Sequence, residues 1–175
     1  DTELEVFIVD SSSNVLSLGS NTYSIKSLTV NADQSLDVSG AALTVSKEYA
    51  NNGTIVSSDF PTITLPNTGV SGNTITENGT WEFTGGSIKA ITNHSYKNIE
   101  VKDDVSLGTA VTATGAVNVN SNKTLTLGNY NLTSGSVTNY GTIEISGTGR
   151  PNKMDVAQGL VKYSGTQTLA DFGDD

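Results

Sequence analysis

The sequence predicts an all-β fold, a parallel β-helix (β-solenoid) of about eight short coils, with a β-sandwich as the alternative arrangement. Three observations predict it. Short runs alternate apolar and polar residues, as in Leu125-Thr126-Leu127, Asn131-Leu132-Thr133 and Thr142 to Ile145. Each run is too short to fold alone, and each keeps one apolar face. Asn and Gly separate the runs, residues that accept the backbone of tight corners. Finally, the runs recur as copies, the signature of a stacked repeat.

Composition agrees. The 175 residues are rich in Ser, Thr, Asn and Gly, and only 15% are charged, which is neither a helical nor a disordered profile. A net charge of −9 with a single arginine, Arg150, excludes the basic footprint that nucleic acid requires. No cysteine is present, and no run of 18 apolar residues occurs, so no membrane span is expected. The chain opens at Asp1 without a signal peptide and closes without a polar cap. It is expected to be one slice, residues 1–175, of a longer repeat array.

Taken in order, Leu4 to Val9 is the first strand, and Val15 to Leu18 follows a polar break. Ser24 to Val30 alternates, with Ile25, Leu28 and Val30 inward. Leu36 to Val38, Leu43 to Val45 and Thr54 to Val56 continue the winding. Residues 57–78 form a first module junction, where Pro61 and Pro66 demand a sheet edge or a protruding loop. Strands resume at Gly79 to Thr84, Ile88 to Ile91 and Tyr96 to Val101. Short runs follow at Val105 to Leu107, Ala110 to Thr112 and Ala116 to Val119. After Thr124 to Ser146, residues 148–158 form the second junction, and Gly159 to Ser164 is the last strand.

The copies align by eye. Val30-Asn31 through Gly53 matches Val119-Asn120 through Gly141, with Leu36 on Leu125 and Leu43 on Leu132. Ile25 to Val30 matches Tyr96 to Val101, and Gly79 to Ser87 matches Gly159 to Gln167. Asn52-Gly53-Thr54, Asn78-Gly79-Thr80 and Asn139-Tyr140-Gly141-Thr142 share an Asn and a Gly-Thr ahead of alternating apolar residues. These matches give modules of roughly 70–80 residues built from coils of about 20. At about 4.8 Å per coil the rod would be near 40 Å long.

Candidate sites are few. Glu82 and Glu144 occupy matching positions and would stack on one face, the carboxylate pairing a glycosidase would need, though outward strand charges explain them more simply. His94, the only histidine, lies in a polar turn and is expected to be exposed. No His or Cys constellation offers a metal site, and Asp103-Asp104 and Asp171, Asp174 and Asp175 lack a calcium-loop pattern. Trp81, Phe83, Tyr96 and Tyr163 sit at matched positions and read as core or corner aromatics. Tyr130 and Tyr140 lie in turns and are the candidate ligand-binding residues. No catalytic residue, metal or cofactor is assigned.

The pattern Asn-x-Gly-Thr-Ile after LTLGNYNL resembles the β-helical repeats of filamentous-haemagglutinin-type adhesins. The order GTWEFTGGS, YKNIEV, VNVNSNKTLTLGNYNL, NYGTIEISG also resembles the β-strand repeats of very large bacterial surface proteins. The resemblance implies an extracellular, bacterial, cell-surface or secreted stalk concerned with adhesion or envelope structure. It transfers no functional residues. The expected function is therefore a non-enzymatic structural or adhesive segment, a rigid stalk or a self-associating element, whose partners are host or matrix glycans or further copies docked through coil ends. The alternative is a carbohydrate-binding or polysaccharide-active β-helix.

Overall fold

The computed structural model describes residues 4–8, 15–59, 62–91, 94–155 and 158–164. Their strands in chain order are β1 (Leu4–Ile8), β2 (Val15–Ser17), β3 (Thr22–Val30), β4 (Ser35–Asp37), β5 (Ala42–Asn51), β6 (Thr54–Ser57), β7 (Thr62–Thr64), β8 (Thr74–Glu77) and β9 (Thr80–Phe83). Then come β10 (Ser87–Ile88), β11 (Asn98–Val101), β12 (Val105–Leu107), β13 (Val111–Val119), β14 (Thr124–Thr126), β15 (Leu132–Asn139), β16 (Thr142–Ile145) and β17 (Leu160–Tyr163). Every strand pair among them is parallel, so the β-sandwich alternative, which needs antiparallel hairpins, does not apply. The chain winds as a β-solenoid of about seven turns, close to the expected number.

Three sheets make the walls. The first is β1-β3-β5, capped by both β7 and β8 on different halves of β5. The second is β2-β4-β6-β9-β11-β13-β15, and the third is β10-β12-β14-β16-β17. Only the second runs through the whole rod. Its inward column is one unbroken register: Leu16, Leu36, Ile55, Trp81, Ile99, Val117 and Val137. Period-two alternation turns these residues to one side, buried from Leu36 to Val117, half-buried at Val137 and exposed at the end residue Leu16, and puts Thr54, Thr80, Glu82 and Glu100 on the other. Fully burying one such apolar side chain is worth about 1.5–3 kcal/mol, and a column shares that gain along the rod.

Two local readings change. Ala110 to Thr112 and Ala116 to Val119 are one strand, β13, with a register irregularity at the bend rather than a break. Tyr96 lies before β11 and makes an isolated bridge to Ala113. Its ring is buried edge-on against Trp81 (5.3 Å) and Phe83 (6.0 Å), so three of the matched aromatics form a core cluster, while Tyr163 is half-buried on β17. β7 and β8 lie at the open edge of the first sheet, as the proline-rich junction required; Pro61 itself lies outside the described residues.

The aligned copies are not in phase. β4 lies in the second sheet, whereas its counterpart β14 lies in the third. The end of β5 lies in the first sheet, whereas its counterpart at the end of β15 lies in the second. The second copy is therefore turned by one wall relative to the first. β10 follows β9, as β7 follows β6, and begins the third sheet by pairing with β12.

Corner chemistry is nevertheless the same in both copies. Asn51 and Asn139 are wholly buried, and each side-chain oxygen accepts the backbone N–H of Gly53 or Gly141 at 3.2 and 3.1 Å. A Cβ on Gly53 would fall inside the carbonyl oxygens of Asn31 and Gln34; on Gly141 it would meet those of Asn120 and Lys123. Asp33 and Asn122, at the same step of the two copies, share positive φ values of 64° and 61°.

Candidate functional site

The joint between the copies is where two ladders break. No described strand pair links β7 or β8 of the first sheet to the segment from β10 to Tyr96, and only the β9–β11 pair of the second sheet crosses. An open cleft of about 540 Å³ lies there, lined by Glu77, Ile91, His94, Ser95 and Thr114.

Glu77 reaches the cleft because alternation along Thr74–Glu77 turns Ile75 and Glu77 inward. Its register partner is Asn51, itself inward. One carboxylate oxygen accepts from the Tyr49 hydroxyl (2.8 Å) and Trp81 Nε1 (3.2 Å), and the other from Asn51 Nδ2 (2.7 Å). The backbone N–H of Gly79 adds a further donor. Burial pushes the Glu77 carboxyl up from its ordinary value, while these four donors pull it down. Burial, reinforced by the Glu77 charge, raises the Tyr49 hydroxyl well above its ordinary range, and Tyr96 shifts the same way for the same two causes.

His94 corrects its sequence reading. It is half-buried rather than exposed, with its ring edge-on to Tyr49 at 6.5 Å. Its Nε2 is out of solvent contact and has no hydrogen-bond partner among the described residues. Burial lowers its pKa, which favours the neutral ring.

The Glu82–Glu144 pairing is also corrected. Glu82 is on the second sheet and Glu144 on the third, because the copies differ by one wall. Glu82 instead neighbours Glu100 in register, and Lys102 Nζ sits 2.8 Å from Glu82 and 4.0 Å from Glu100. Glu144 binds Lys162 (3.1 Å) and the Ser164 hydroxyl (2.8 Å). These contacts make both carboxylates part of the outer surface of the walls.

Tyr130 and Tyr140 are exposed, 40% and 49%, at opposite ends of the eight-residue β15. They stand at two different corners and line separate surfaces; neither lines the cleft. Asp103 is tied to Lys123 (2.7 Å), and Asp104 accepts the backbone N–H of Thr124 (2.8 Å). Asp171, Asp174 and Asp175 lie outside the described residues. Among the described residues no group of three or more His, Cys, Asp or Glu could hold a metal ion. No described helix is long and apolar enough to cross a membrane.

Sequence reasoning missed the cleft. The signal available was the inward register of Glu77, a carboxylate at the apolar beat of an alternating run. Fold and site together define a parallel β-solenoid with a polar, buried joint between two repeat copies. No family model, no curated protein and no solved structure matches the chain.

Proposed function

We propose that the chain is a non-enzymatic structural segment of a bacterial extracellular surface protein, a rigid stalk able to self-associate through its coil ends. The observation that carries the proposal is the second sheet, a seven-stranded parallel ladder that runs the length of the rod over one apolar column. Bending such a rod breaks backbone hydrogen bonds and column packing together, so stiffness follows from the register. Among the described residues, β1 and β2 at one end and β17 at the other have a ladder partner on one side only, and the outer side of β15 is met only by the isolated bridge from Leu132 to Pro151. Such edges accept a further strand. The surface placement rests on the resemblance to bacterial surface repeats and on the acidic, hydroxyl-rich composition.

Negative-stain imaging with light scattering over a concentration series tests the proposal. Elongated monomers, or filaments that lengthen with concentration, support a stalk. Compact particles at all concentrations, or depolymerisation of a polysaccharide panel, would overturn it.

A further inference from the structure

Two of the three sheets are interrupted at the joint. Among the described strands, β7, β8 and β10 have no ladder partner on the side that faces it. The second sheet alone stacks through, β6 on β9 on β11. One wall is thus continuous, and the joint is open at the cleft. Across the open side the ring of His94 meets the ring of Tyr49, edge-on at 6.5 Å.

That contact suits an uncharged imidazole. His94 Nε2 is out of solvent contact and has no hydrogen-bond partner among the described residues. A neutral ring keeps its one proton on Nδ1 and leaves Nε2 a bare acceptor. A second proton must go on Nε2, where it makes a buried N–H with nothing to accept it and places charge away from water.

The surroundings give a charged ring no partner. The titratable groups that face it are Tyr49 on β5 and Glu77 on β8, while Ser95 beside it and Thr114 on β13 bring hydroxyls only. Tyr96, two residues on, gives its hydroxyl to the Lys89 carbonyl. The Tyr49 proton is committed to Glu77, whose oxygens also take Trp81 and Asn51. Burial lowers the His94 pKa below its ordinary value. The neutral ring therefore contributes stability that is present above about pH 6.5 and lost as pH falls through the lower folded-state value. Glu77 has the opposite sign: burial raises it, so its protonation favours the folded clasp.

We propose that His94 is an acid sensor built into the joint: protonation draws its ring out to water, breaks the contact with Tyr49 and frees the first sheet from the third, while the second sheet holds. The rod then bends at this one level. The device goes beyond the stalk reading, since a rod that stays stiff in acid is still a stalk.

His94 is the only histidine, so imidazole ¹⁵N resonances follow its titration alone. No cysteine is present, so spin labels attach only where cysteines are introduced. Thr44→Cys with Thr126→Cys puts one label on the first sheet and one on the third, on either side of the joint. Val56→Cys with Thr138→Cys puts both on the second sheet, four ladder steps or about 19 Å apart. Label distances are measured in the intact chain from about pH 7.5 to about pH 4. His94 is expected to titrate below about 6.5, and the Thr44–Thr126 distances to broaden in step with it. The Val56–Thr138 distances are expected to stay narrow. His94→Phe keeps a ring against Tyr49, cannot titrate and leaves Glu77 in place; both of its distributions are expected to stay narrow. Four results overturn the proposal: His94 titrating at or above about 6.5, Thr44–Thr126 distances unchanged once His94 is charged, equal broadening in His94→Phe, or both pairs broadening together, which is general acid unfolding.

Discussion

Replacing Asn51 by Asp is the sharpest probe of the joint. The substitution keeps shape and keeps the oxygen that accepts the Gly53 N–H. It turns the donor that faces Glu77 at 2.7 Å into a second carboxylate oxygen. Two unit charges at that distance repel by about 6 kcal/mol at an effective dielectric of about 20. Retaining one proton on the pair at pH 7 costs about 4 kcal/mol, about three pH units above an ordinary carboxyl at about 1.4 kcal/mol each. The smaller cost wins, so the pair shares a proton and Asn51→Asp destabilises by about 4 kcal/mol at pH 7. The shared proton raises the folded-state pKa above the unfolded value. The missing stability therefore returns as pH falls, by about 1.4 kcal/mol per unit, until the deficit closes near pH 4. Glu77→Gln added to Asn51→Asp moves the charge across the contact: the Gln amide donates to Asp at 51, and its oxygen still accepts from Tyr49 and Trp81. The double variant is expected to regain most of the loss at pH 7. Urea unfolding followed by Trp81 emission between pH 4 and 7 measures all three proteins. A single-variant deficit that does not shrink on acidification, or a double variant worse than the single, would refute the reasoning.

The remaining tests concern corners and surface. Gly53→Ala and Gly141→Ala each force a methyl against two backbone carbonyls and are expected to cost about 2–3 kcal/mol, less a few tenths returned through the unfolded chain. Urea midpoints of the two variants should fall alike; a neutral substitution at either corner contradicts the close approach. Lys102→Ala removes a half-exposed bridge to Glu82 and Glu100 and is expected to cost no more than about 1 kcal/mol, a loss that 1 M salt erases. Unfolding curves at low and high salt decide this, and a larger, salt-independent loss would show that its aliphatic stem packs the wall.

Much of the winding was legible because it is written locally. Leu36, Leu125 and Ile143 sit at the apolar beat of three- or four-residue runs, and the beat alone turns them inward. Asn51-Asn52-Gly53 and Asn139-Tyr140-Gly141 were legible as turns, but the role of Asn51 and Asn139 as buried acceptors for Gly53 and Gly141 needs the next coil to close over them. His94 was misread because Thr92-Asn93-His94-Ser95 is polar along the chain, whereas its burial is set by Tyr49, a residue far away in sequence. Glu82 and Glu144 failed for another reason. Alignment of copies compares order along the chain, while stacking depends on which wall each strand has reached.

That distinction gives the joint its importance. The two copies repeat the same corner, with a buried Asn closing on a Gly, yet one corner ends a strand of the first sheet and the other a strand of the second. A repeat that restarted in phase would stack like strand on like strand and keep each outer surface on one wall. Here the coil from β9 through β10 and Tyr96 returns to the second sheet at β11, which stacks on β9 as β9 stacks on β6. The outer surface that the first copy shows on one side appears in the second copy one wall further round. Among the described strands the first sheet has no continuation beyond β7 and β8, and the third begins only at β10. The cleft, the orphaned His94 nitrogen and the clasped Glu77 all sit at that level. The phase change between the copies and the opening of the site thus fall at the same level of the rod. The second sheet, the only one continuous through the joint, lets the rod tolerate both.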